Sequence, residues 1–168
     1  MTISMYSASV PVFQRQLGAL GKVIDKAAAY AAAKKIQDAA LLQTRLFPDM
    51  LPLVRQVQIA ADFAKSTPGR LTGSEFPKYD DGETTLAELK ARIDKTLAYV
   101  ATYTPAQFEG SEGREITIPI PNNPLTFKGE VFLLHFAMPN FYFHVTTAYD
   151  ILRHCGVEIG KRDFIGGL

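Results

Sequence analysis

Apolar side chains recur every three or four residues along four separate stretches of this chain, a period that lines one face of a helix and suits no strand. In the first stretch Phe13, Leu17, Leu20, Ile24, Ala27 and Ala31 share a face. Ser9-Val10-Pro11 stands before them, serine as a cap for free amides and proline in the tolerated first turn. The alanine-rich run 27–33 combines high helix propensity with side chains small enough for close packing. The second helix is expected from about Met50 to Lys65, with Leu53, Val57, Ala60 and Ala64 inward. Asp49 is placed to cap it, Pro52 fits its first turn, and Ser66-Thr67-Pro68-Gly69 is expected to stop it. Gln56, Gln58 and Asp62 are its polar residues of interest. The third helix carries Leu86, Leu89, Ile93, Leu97 and Val100 behind a capping box of Thr84 or Thr85 with Glu88, and ends near Tyr103-Thr104-Pro105. The fourth runs from Gly129 to Gly156.

The connections are distinctive. A short helical piece is expected from Ile36 to about Thr44, followed by a turn at Pro48. The polar stretch Thr72 to Thr84 is long for a bundle connection and is a candidate functional loop. Its carboxylates Glu75, Asp80, Asp81 and Glu83 lack the alternation of a calcium loop and read as a solvated acidic face. Arg114 to Ile120 and Leu125 to Gly129 flank Pro121-Asn122-Asn123-Pro124, which predicts a small hairpin with Pro119 confining it to an edge. The pattern therefore predicts an all-α chain: a four-helix bundle with a small β-hairpin between helices three and four, in a single domain over residues 1–168.

A net charge of +1 supplies no basic footprint, so no nucleic-acid partner is expected. Apolar runs such as Val131-Phe132-Leu133-Leu134 are far shorter than a membrane span, so no membrane partner is expected either. The N-terminus lacks the pattern of a secretory signal and the chain holds one cysteine, Cys155, which together predict a bacterial-type cytoplasmic protein.

The fourth helix contains all three histidines, and helical geometry separates them. His135 and His144, nine residues apart, point to roughly opposite faces, and His154 lies about 15 Å further along the axis from His144. Pro139 is a kink site, but a kink does not close these gaps. Asn140 and His144, one turn apart, do share a face. Imidazole there can bind a metal, act as a base or satisfy a buried partner. Cys155 sits at the helix C-terminus, where the dipole opposes a thiolate. No nucleophile elbow, Walker loop or dinucleotide fingerprint occurs.

Asn140-x-x-x-His144, then Tyr149, Ile151-Leu152-Arg153 and Gly156-Val157, resembles the end of the DinB/YfiT-like fold, where the last helix carries H-x-x-x-H. RLFPDMLPLVRQVQIAADFAK, GSEFPKYDD and LHFAMPNFYFHVTTAYDILRHCGVEIGKRDFIG look like an uncharacterised branch of that superfamily, a domain of unknown function, so the resemblance spans nearly the whole chain. It implies a four-helix bundle, commonly a homodimer, in which metal-bearing members hold a divalent ion with one histidine of helix two and two of the last helix. Some of those members are thiol transferases. Here Asn140 stands at the first histidine position, and helix two offers Gln56 or Gln58, leaving His144 alone of the triad.

One imidazole with two amides is a poor transition-metal set. The expectation is accordingly a small-ligand-binding or interaction module with a degenerate metal triad and no resident cofactor. Its polar pocket would be formed by Gln58, Asp62, Asn140, His144 and Tyr149, walled by Phe141, Tyr142 and Phe143. The alternative is a metal-dependent enzyme of the thiol-transferase type, its divalent transition metal held by His144 with a carboxylate such as Asp62.

Overall fold

A computed structural model describes residues 3–167. Its long helices are α1 (Val10–Lys34), α3 (Leu53–Thr72), α4 (Leu86–Val100) and α6 (Met138–His154), with short α2 (Asp38–Leu42), α5 (Gly129–Val131) and α7 (Lys161–Ile165). The strands β1 (Glu115–Ile118) and β2 (Leu125–Lys128) pair antiparallel, Glu115 opposite Lys128 and Ile118 opposite Leu125. This is the predicted helical bundle with its hairpin between the third and fourth long helices.

The core follows from the periodicity. Phe13, Leu17 and Ile24 of α1, Val57 and Ala64 of α3, Leu89 and Ile93 of α4 and Phe141 of α6 are all buried in one cluster. Phe13 meets Phe141 edge to face at 4.8 Å. α3 packs on both α4 and α6, so its two sides serve different neighbours. Among the described residues no helix is long and apolar enough to cross a membrane.

Several local expectations are corrected. Pro68 does not stop the second long helix, which continues to Gly73 in the left-handed region at φ 71°. Thr67, Pro68, Gly69 and Leu71 are buried, and that packing outweighs the one backbone hydrogen bond a proline removes. The helix starts three residues later than expected, with Pro52 and not Asp49 at its N-cap position. Ser9 likewise caps no amide; its hydroxyl donates to the Met5 carbonyl at 2.5 Å. By contrast, Thr85 and Glu88 form the complete capping box.

The last long helix, 129–154, changes register at Phe132–Ala137, which is π-helical and ends two residues before Pro139. Proline has no N–H to return to the carbonyl four residues earlier, and a wider turn accommodates the mismatch. Beyond the fourth predicted helix the chain adds α7, which closes back on α1, where Gln16 donates to the Phe164 carbonyl at 2.8 Å and Lys26 pairs with Asp163 at 2.7 Å.

Candidate functional site

Two residues apart on a helix means about 200° around it, and this separates the two glutamines of α3. Gln56 faces α6, where its Oε1 lies 2.7 Å from His144 Nδ1. Its Nε2 donates to the Leu51 carbonyl at 2.9 Å, which fixes the amide orientation. Because Oε1 can only accept, Nδ1 of a neutral His144 must carry the proton, and Nε2 is left with its lone pair. That nitrogen has no hydrogen-bond partner among the described residues and is not a buried unpaired atom. Phe63 stacks near the imidazole at 6.4 Å and 20°, and Phe143 meets it edge-on at 5.3 Å. Burial of the ring lowers the His144 pKa below its ordinary value.

Asn140 shares the face but not the bond. Its Nδ2 donates to the Phe136 carbonyl in the π-helical turn at 2.7 Å. Tyr149 lies elsewhere, packed edge-on against Phe164 of α7 at 5.5 Å. Phe141 is buried in the core and only Tyr142 and Phe143 are exposed, so the three consecutive aromatics do not form one wall.

Gln58 and Asp62 belong to a second cluster, on the α4 side of α3. Its centre is Arg92, 4% exposed although fully charged. Arg92 Nη1 donates to the Asp80 carbonyl and Glu83 Oε1, both at 2.9 Å, and Nη2 reaches Asp62 at 3.1 Å and Asp81 at 3.0 Å. Gln58 donates to Glu83 at 2.6 Å and accepts from Arg55 at 2.7 Å, while Arg55 also pairs with Asp81 and Lys65 with Asp62. The Tyr79 ring sits among Lys95, Lys65 and Arg92 at 4.1, 4.7 and 5.4 Å. Partial burial pushes the Asp81 carboxyl up, but Arg55 and Arg92 outweigh it and hold it below the usual carboxylate range. Asp81 and Glu83 of the acidic loop are thus bound to the helices through their carboxylates, while Glu75 and Asp80 stay exposed, as in a solvated face.

Sequence reasoning did not single out Arg92. The signal was a charged residue set within the stripe Leu89, Ile93, Thr96 and Val100, a position that demands partners.

The donors near His144 do not fit a three-histidine metal centre. Gln56 spends its oxygen on Nδ1, Asn140 offers a neutral amide, and His135 and His154 lie exposed elsewhere. Among the described residues no group of three or more His, Cys, Asp or Glu side chains is placed to hold a metal ion.

A family model described as "Domain of unknown function (DUF1993)" matches residues 5–165. The chain belongs to this family. The DUF1993 chain is also similar to the crystal structure of a DinB family member protein from Shewanella denitrificans, at 44% identity and a TM-score of 0.90. That match covers 98% of this chain and 93% of the other. No curated protein matches. The DUF1993 bundle is thus an uncharacterised branch of the DinB/YfiT-like superfamily, as the sequence resemblance implied.

Proposed function

We propose that this DUF1993 protein is a small-ligand-binding module in which a Gln56–His144 pair takes the place of the superfamily's metal triad. The observation carrying this reading is the 2.7 Å contact of Gln56 Oε1 with His144 Nδ1: with the amide oriented by the Leu51 carbonyl, a neutral ring carries its proton on Nδ1, so Nε2 is a ready acceptor for a donor group on a ligand. Phe143, 54% exposed and edge-on to the imidazole, supplies apolar surface beside that polar centre.

Nitrogen-15 NMR of the imidazole tests the tautomer. The expected result is a protonated Nδ1 at neutral pH, with Nε2 shifting on titration with small phenols or alcohols. Gln56→Leu removes the acceptor and is expected to weaken that binding by about 3- to 10-fold. The site's pH dependence has a definite sign. The folded pKa is lowered, so the neutral ring stabilises the fold above the ordinary value of about 6.5, and this contribution is lost as pH falls from there to the folded pKa. Binding to Nε2 is lost over the folded titration itself. An Nε2–H tautomer, or zinc or nickel retained stoichiometrically and released by His144→Ala, would overturn the reading.

A self-association reading is favoured by separate residues. Val131, Leu134 and Tyr142 project from the last long helix at 43%, 46% and 39% exposure. Light scattering is expected to give a dimer in the micromolar range that Leu134→Glu converts to monomer; a wild-type monomer throughout refutes it.

A further inference from the structure

The segment joining α3 to α4 offers a second site, independent of the His144 pair. Residues 74–84 form neither helix nor strand, and none of them enters the hydrophobic core cluster. They lie across the two helices as a strap. The strap carries four carboxylates, Glu75, Asp80, Asp81 and Glu83, against one lysine, Lys78. The helix surface beneath presents Arg55, Lys65, Arg92 and Lys95 against Asp62.

The mode of attachment is that of a bound peptide. Tyr79 is an aromatic anchor among three cations, Glu83 and the Asp80 carbonyl share Arg92 Nη1, and Asp81 bridges Arg92 and Arg55. The cation–π contacts at Tyr79 and the ion pairs of the partly exposed Asp81 are individually weak and screened by salt, and the buried Arg92–Glu83 pair is the strongest hold on the strap. No strap residue belongs to the hydrophobic core cluster, so the strap can detach while the apolar contacts between the helices stay in place, at the cost of Arg92's partners. Detachment would leave Arg92, 4% exposed and already with an unpartnered buried Nε, with only Asp62 of its four present partners. A groove of ≈ 310 Å³ lined by Tyr79, Asp80, Glu83, Ala91, Arg92 and Lys95 already opens at the strap's edge.

We propose that the strap is an internal occupant of a cationic cleft between α3 and α4, and that the vacated cleft takes an acidic peptide segment carrying an aromatic side chain. The strap is then an autoinhibitory contact. Its effective concentration, roughly millimolar for a short tether, keeps external segments out until it is displaced.

The test uses the full chain and a synthetic peptide with the sequence of residues 76–84. A variant combining Tyr79→Ala, Asp81→Asn and Glu83→Gln weakens the strap without altering the cleft. The peptide is expected to bind this variant at least about tenfold more tightly than wild type, to weaken with added salt, and to lose binding when Lys95→Glu is added. Equal binding to wild type and variant, or no binding to a folded variant, overturns the proposal. Limited trypsin digestion of the wild-type protein tests it without any substitution. Cleavage after Lys78 should proceed through an opening that leaves α3 and α4 intact and should speed up with added salt, and cleavage that tracks global unfolding overturns it even where the variant fails to fold.

Discussion

Arg92→Ala is expected to lower the unfolding free energy by about 3 kcal/mol, because it deletes one partner of a buried ion network and leaves the others in place. Glu83, with a side chain 12% exposed, would lose its guanidinium while still accepting from Gln58, and Asp81 and Asp62 would face each other without the central cation. The two aspartates are about 40% exposed and can rehydrate, which places the loss at the lower end for a broken buried pair. Thermal melts should shift down by roughly 6–12 °C for a chain of this size. Arg92→Lys keeps the charge but not the planar fork that serves four groups at once, so it should recover only part of the loss. The exposed pair Lys90–Asp94 provides the contrast: Asp94→Ala removes an i,i+4 surface bridge and should cost under about 0.5 kcal/mol. Equal effects at the two sites would show that Arg92 is not the fastening point.

The difference between those arginine and lysine pairs was only partly legible in the sequence. Periodicity located the four long helices, and the Thr85–Glu88 capping box could be read directly because its chemistry is local. Local rules failed where tertiary packing outweighed them. Pro68 is a stop signal by itself, yet buried neighbours carry α3 past it. Lys161–Ile165 is too short to show a period, and its helix depends on docking against α1 through Phe164 and Asp163. The candidate site shows the same limit. The spacing of Asn140 and His144 puts them one turn apart on α6, but which glutamine of α3 meets the imidazole depends on the rotation of one helix against another, which no spacing within α3 encodes. Gln58 and Asp62 share a face by their four-residue spacing, and the structure turns that face toward Arg92, away from His144.

Glycine makes the same point in a form that a paired experiment can measure. Gly18 lies inside α1 and Gly129 is the first residue of α5, and neither has a positive φ. A side chain at Gly18 meets nothing within 4 Å, so Gly18→Ala in the interior of α1 should stabilise by about 0.5–1 kcal/mol through helix propensity and a less flexible unfolded chain. At Gly129 a Cβ would stand 1.9 Å from the Ser111 carbonyl oxygen and 3.0 Å from its carbon. That obstacle is backbone and cannot swing aside. Ser111 is fully buried, its hydroxyl donates to the Phe108 carbonyl at 2.7 Å, and the adjoining Glu112 carbonyl accepts from Glu130 at 3.1 Å. Relieving the clash therefore means moving the 108–112 segment off the start of the last long helix, breaking those bonds and loosening Phe108 from Tyr6 and Tyr103. Gly129→Ala should thus destabilise by about 2–3 kcal/mol, the upper range for overpacking, because the first residue of a helix has no interior propensity gain to offset the clash. Urea unfolding of the two variants should move the midpoints in opposite directions. If Gly129→Ala were neutral, the junction between β2 and α5 would have to be looser than this close approach requires, and the position of the π-helical turn that follows would lose its anchor.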